Sequence, residues 1–182
     1  MISSIKRLVF GVAVNLCLAQ GVAYADTPME QLQETIQQAM LAMNGAGKLN
    51  DPERREKLRD TLMPRFDWFE MAKQTLGKHW TAIPSRQHEF VAVFTEFLGN
   101  SYIGKIGSYK DEKIVFVHES IEKNLAQVNT KIIPGKGEPT SVNYRLHRVE
   151  GEWKIYDVVV EDISVVANYR SQFNRILANG SF

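Results

Sequence analysis

The sequence predicts an α+β domain: several N-terminal helices, then a four-stranded antiparallel twisted sheet, then one closing C-terminal helix. Three observations predict it. Up to about residue 104, apolar residues recur every three or four positions between cap and stop residues. Beyond the glycines at 104 and 107 the period changes to two, and after residue 164 it returns to helical spacing.

The first helix opens at Thr27-Pro28-Met29-Glu30. A cap residue, a proline at the first helical position and a glutamate three residues after the cap make a capping box. Met29, Leu32, Ile36, Met40 and Met43 follow on one face until Asn44-Gly45 stops the run. Asp51-Pro52 opens a second helix whose buried side holds Leu58, Leu62 and Met63, and Pro64 closes it. Asp67 caps a third through Trp68, Met71, Ala72 and Leu76, which ends at Gly77. A longer helix runs from Pro84 to about Gly104 with Phe90, Val93, Phe94, Phe97, Leu98 and Tyr102 on one wide stripe. Four aromatics on a single face are a heavy apolar load.

Residues 114–118, 125–133, 141–149 and 153–161 read as the four strands. Glu122-Lys123-Asn124, Gly135-Lys136-Gly137 and Glu150-Gly151 separate them, and links this short make antiparallel hairpins. Residues 141–149 alternate, with Val142, Tyr144 and Leu146 on one face and Asn143, Arg145 and His147 on the other. The nearly continuous apolar run 155–160 predicts a strand covered on both faces. The face taken by Asp157 stays open, because a one-residue change in the Glu150-Gly151 loop flips the register. Asp162 or Ser164 then caps a final helix through Val165, Val166, Tyr169, Phe173, Ile176 and Leu177, ended by Asn179-Gly180.

Lys6 and Arg7, the uncharged apolar run 8–19 and Ala23-Tyr24-Ala25 read as a secretory signal peptide, residues 1–25, cut before Asp26. An apolar core of about 12 residues is too short for a permanent anchor. Removing 25 of the 182 residues leaves 157, enough for a single domain over 26–182 with a core of its own. That domain carries 20 basic against 21 acidic residues, so it has no electrostatic reason to bind nucleic acid. The one cysteine, Cys17, lies inside the signal, and Leu16 before it is too large for a lipoprotein cleavage site. The mature domain therefore has no disulfide, thiolate nucleophile or zinc knot.

Catalytic motifs are missing from the pattern. His79, His88, His118 and His147 fall at no zinc spacing, and Ser120, Ser141 and Ser164 sit in no nucleophile elbow. Gly45-Ala46-Gly47-Lys48 lacks the spacing of a phosphate loop. The best acid and base set is Tyr144, Asp157 and His147, for which a buried Asp beside a Tyr hydroxyl would act as base. The competing reading is a hydrogen-bonded structural Asp. Glu53-Arg54-Arg55-Glu56-Lys57 reads as a solvated helix face or a docking surface. Periodicity alone reads the apolar excess on the long helix, the sheet and the closing helix as a solid core.

The signal peptide, the capped first helix and Pro84-Ser85-Arg86-Gln87 followed by Phe90 and Phe94 also form a wider pattern with the strand Trp153-Lys154-Ile155-Tyr156-Asp157-Val158. Together with Ile163-Ser164-Val165-Val166-Ala167-Asn168-Tyr169-Arg170-Ser171-Gln172-Phe173, the most specific segment, they resemble the MlaC family. These are periplasmic phospholipid-binding proteins, also described as toluene-tolerance auxiliary components of an ABC transporter. The resemblance implies helices and sheet around an apolar pocket of NTF2-like character. It implies a periplasmic carrier that holds phospholipid by its acyl tails and keeps the outer leaflet of the outer membrane free of it. The wall residues would be Phe90, Phe94, Phe97 and Tyr102 on the long helix. The sheet would add Val142, Tyr144, Leu146, Val158 and Val160, and the closing helix Val165, Tyr169 and Phe173. It further implies no catalytic residue, no metal and no cofactor beyond the phospholipid cargo. The partners would be an inner-membrane MlaFEDB-type ABC transporter and an outer-membrane MlaA-type lipoprotein complex, met by a monomer. Two rival readings stand beside it: an NTF2-like α+β enzyme using Asp157 and Tyr144 in an apolar cavity, and a ligand-free envelope adaptor.

Overall fold

A computed structural model describes residues 27–44, 51–106 and 112–178. The signal peptide, the Gly45-Ala46-Gly47-Lys48 segment and the Asn179-Gly180 stop lie outside the described residues. The helices are α1 (Pro28–Asn44), α2 (Asp51–Leu62), α3 (Trp68–Leu76) and α4 (Gln87–Ile106), with short 3-10 turns at Met63–Arg65, Gly77–Ala82 and Pro84–Arg86. Strands β1 (Lys113–Glu122), β2 (Leu125–Ile133), β3 (Thr140–Val149), β4 (Glu152–Val160) and β5 (Ile163–Ser164) follow, and α5 (Val165–Ala178) closes the domain. Among the described residues, no helix is long and apolar enough to cross a membrane.

The capping box forms at the start of α1: Glu30 N–H donates to Thr27 Oγ1 at 3.1 Å and Thr27 N–H donates to Glu30 Oε2 at 2.8 Å. Two bonds from outside the helix then fix its position over the sheet. Met29 N–H donates to the Glu119 carboxylate on β1, and Trp153 N–H on β4 donates to Gln31 Oε1 at 3.0 Å. Thr27→Ala should cost about 1 kcal/mol in urea unfolding, the usual loss for a capping side chain. Leu32 packs on Ala126, Val128, Leu146, Trp153 and Ile155, which makes the core between α1 and the sheet.

The sheet is antiparallel in the order β1-β2-β3-β4-β5. It has five strands where the sequence predicted four. The added strand follows a two-residue reversal at Glu161 (φ 47°) and Asp162 (φ 64°), which pairs Val160 with Ile163. Positive φ at both central positions usually selects Asn-Gly, so Glu-Asp left no turn signature.

Two features of the helices and sheet decide the site. On α4, Phe94 and Leu98 are buried against α3 and α5, but Val93 is 64% and Phe97 53% exposed. The single wide stripe is therefore narrower than predicted. Phe90, Phe94 and Leu98 lie four apart along one line, while Val93 and Phe97 lie on the adjacent line, which no neighbouring element covers fully. On β4, Leu146 pairs with Ile155 while Arg145 pairs with Asp157, leaving Tyr156 as an extra residue in a β-bulge. The bulge shifts the inward parity of the strand from odd to even positions. It settles the face of Asp157, which turns away from Tyr144 and Val158.

Candidate functional site: an apolar cavity between helices and sheet

The bulge lets both ends of β4 face one space, with Ile155 before it and Val158 and Val160 after it. That space is a cavity of about 360 Å³. From α1 come Leu32, Ile36, Met40 and Met43, and from the end of α2 through the link to the start of α3 come Leu62, Met63, Phe66 and Trp68. Met71, Leu98, Gly99, Tyr102 and Ile103 close it on the α3 and α4 side. The sheet adds Ile114, Ile132, Val142 and Tyr144, and Val165 opens α5 beside them.

Local chemistry holds this wall. Asp67 Oδ1 accepts the Glu70 N–H at 2.8 Å as the cap of α3, Asp67 N–H donates to the Ile155 carbonyl at 2.8 Å, and Trp68 Nε1 donates to the Met63 carbonyl at 2.9 Å. The link is thereby tied to the edge of β4. A Cβ at Gly99 would sit 3.1 Å from Met63 Sδ, so glycine is what lets the thioether lie against α4. The Thr35 hydroxyl donates to the Gln31 carbonyl at 2.8 Å, which spends its polarity on the helix. Four methionines, Met40, Met43, Met63 and Met71, give the wall flexible, polarizable side chains that reshape easily.

Asp157 is 2% exposed and fully engaged. Its carboxylate accepts from Arg145 Nη1 at 3.0 Å, Ser164 Oγ at 2.6 Å and the Val166 N–H at 3.1 Å. Ser164 Oγ accepts the Ala167 N–H at 3.0 Å, so Ser164, not Asp162, caps α5, and Asp157 supplies negative charge at that helix's N-terminus. His147 Nε2 lies 2.9 Å from Asp67 Oδ2. The proposed acid and base set therefore does not converge: Tyr144 lines the cavity, while Asp157 and His147 serve helix starts elsewhere. Among the described residues no cluster of His, Cys, Asp and Glu could hold a metal ion.

This architecture can be compared with known proteins. Residues 29–182 match the family model for the MlaC protein. The chain belongs to the MlaC family. It is 25% identical over 115 residues to the intermembrane phospholipid transport system binding protein MlaC of Haemophilus influenzae (strain ATCC 51907 / DSM 11121 / KW20 / Rd), covering 60% of this chain and 54% of that one. The match thus spans about half the length of that relative. The fold of the MlaC-family chain is that of a Ralstonia solanacearum phospholipid-binding protein solved in complex with a phospholipid: TM-score 0.73 at 18% identity, over 82% of this chain and 86% of that one.

Of the twelve residues assigned to the lipid wall from the sequence, the MlaC-family fold brings six to the cavity: Tyr102, Val142, Tyr144, Val158, Val160 and Val165. Phe90, Phe94, Phe97, Tyr169 and Phe173 instead form an aromatic seam between α4 and α5. Its ring centroids lie 5.7 Å apart for Phe90 and Phe94, 5.5 Å for Phe90 and Phe173, 6.4 Å for Phe94 and Tyr169 and 5.7 Å for Phe97 and Tyr169. Leu146 lies in the solid core under α1. The wall residues of α1 and of the α2 to α3 link were not on that list. Their signal was the apolar spacing from Leu32 to Met43, which marks a buried face without saying whether protein or space lies opposite.

Burial raises the Tyr102 phenol above the ordinary tyrosine value, and the negative fields of Tyr169 and Asp157 add to it. The folded state therefore favours the neutral phenol. Its contribution to stability is fully present below about pH 10 and is lost as pH rises through the raised value. In an absorbance titration Tyr102 should ionise above the ordinary tyrosine range, and Tyr102→Phe should remove that late step.

Proposed function

We propose that this chain is a periplasmic carrier that holds a phospholipid by its acyl tails in the cavity. In this reading the signal peptide is removed before Asp26. The mature domain, a monomer, takes and delivers lipid between an MlaA-type outer-membrane lipoprotein complex and an MlaFEDB-type inner-membrane transporter, and so maintains outer-membrane asymmetry. The observation that carries the reading is the apolar cavity itself. Two acyl chains present about 30 methylenes, and at about 0.8 kcal/mol each their exposure would cost about 24 kcal/mol. Crossing water requires that surface to be covered. Binding surfaces of this kind need no bond chemistry, which accords with the engagement of Asp157 in capping α5. The names of the relatives, a phospholipid transport binding protein and a phospholipid-binding protein, support the same cargo.

Size adds a condition. A pocket for two tails approaches about 1,000 Å³, against about 360 Å³ here. Loading therefore moves the wall outward. On the α2 side, Leu58 packs with Ala39 and Ile103, and Arg59 reaches Asn100 at 3.3 Å and Glu96 at 3.6 Å on α4. Native mass spectrometry of protein purified from the periplasm should show the chain from Asp26 with one phospholipid bound, recovered on organic extraction. Protein that carries no lipid there, and takes none from phospholipid vesicles, would sink the carrier reading and favour the adaptor.

A further inference from the structure

Among the described residues lining the cavity, Arg65 alone carries a formal charge. It ends the Met63–Arg65 turn, one residue before Phe66, whose backbone bridges to Ile155 on β4. Arg65 is only half-buried and Pro64 before it is exposed, so this part of the wall reaches solvent. Lys154 Nζ donates to the carbonyl of Pro64 at 3.0 Å and pairs with the exposed carboxylate of Glu152. That carboxyl is held below its usual range first by the Lys154 hydrogen bond and charge, with a smaller contribution from Arg65. Lys154 therefore already satisfies the nearest acid.

Arg145, Arg86, Arg59 and Arg170 are engaged, by Asp157, by Glu89, by Glu96 and Asn100, and by the Gln74 carbonyl respectively, and none of them lines the cavity. Arg65 makes no hydrogen bond or ion pair among the described residues. A guanidinium presents five donors in a planar fork that matches the oxygens of a phosphodiester, and it stays charged at any physiological pH. Placed where an apolar cavity opens to solvent, it meets the one part of an acyl-chain ligand that is anionic.

We propose that Arg65 is a specificity-determining residue that holds the phosphodiester of the cargo at the cavity rim, an assignment that rests on the carrier function above. The tails supply affinity without distinguishing one diacyl lipid from another. Arg65 supplies the preference for lipids with an anionic phosphate over neutral lipids with identical tails.

The test is exchange from mixed vesicles holding equal amounts of palmitoyl-oleoyl phosphatidylglycerol and the matching diacylglycerol, with bound lipid counted by mass spectrometry. Wild-type protein should favour the phospholipid about tenfold, the scale of a charge-assisted hydrogen bond. Arg65→Gln should bring the ratio to about one by lowering phospholipid uptake about tenfold, and Arg65→Lys should fall between. The lysine variant, which keeps the charge and loses the fork, guards against a glutamine variant that folds poorly. An unchanged ratio in both variants overturns the role of Arg65 and leaves the carrier reading intact, as does a wild-type ratio of one. Failure of wild-type protein to take up either lipid removes the carrier reading and the assignment with it. A palmitate arm separates the anion sources: Arg65-dependent uptake of palmitate in preference to the phospholipid overturns the phosphodiester assignment.

Discussion

Asp157→Ala should lower the thermal midpoint by about 10 °C, measured by circular dichroism. The side chain is buried and accepts from Arg145, Ser164 and the backbone of Val166. Truncation leaves the first turn of α5 without its anion and strands buried donors, a loss of about 3 kcal/mol for hydrogen bonds to a charged group. Arg145 is half-exposed and recovers hydration, so its share is discounted. For a domain of this size about 3 kcal/mol corresponds to a shift of about 10 °C. Asp157→Asn keeps the shape and some acceptor capacity, and should show a smaller fall. A variant that melts like wild type while abolishing turnover of some small molecule would instead restore Asp157 as a catalytic base.

On the proposed carrier function, stripping lipid from the protein should have an effect at least as large. A ligand that binds only the folded state, at about a thousand times its dissociation constant, adds about 4 kcal/mol. Its removal should lower the midpoint by about 12 °C, with faster hydrogen exchange in α1 and α4. The scale of the cavity supports a strong dependence. Kept dry and empty, the 360 Å³ space would cost about 9 kcal/mol at about 24 cal/mol per Å³, comparable to the whole stability of a domain. Val160→Phe and Val142→Leu, both on the cavity wall, test the same space from inside. Each should cut the bound lipid counted by native mass spectrometry while leaving the midpoint of the stripped protein nearly unchanged. If either unfolds the domain by overpacking, the space is not available to a ligand and the solid-core reading gains.

Local chemistry alone was enough for much of this fold. Thr27 and Glu30 cap α1 reciprocally, Asp67 opens α3, and Gly77 (φ 54°) ends it, all from interactions between residues three or four apart. The hairpins β2–β3 and β3–β4 follow from alternation and short links. Contacts between residues far apart in the chain decided the rest. An extra residue at Tyr156 turned Asp157 from a candidate base into the anchor of α5, and nothing in a continuous apolar strand marks where a bulge falls. Phe90, Phe94, Phe97, Tyr169 and Phe173 looked like the walls of a pocket and instead meet each other, while Tyr102, α1 and the α2 to α3 link help line the space. Hydrophobic periodicity records which side of an element avoids water. Whether that side meets a packed neighbour or an enclosed space depends on the distance to the opposing element, and that distance exists only once the chain has folded.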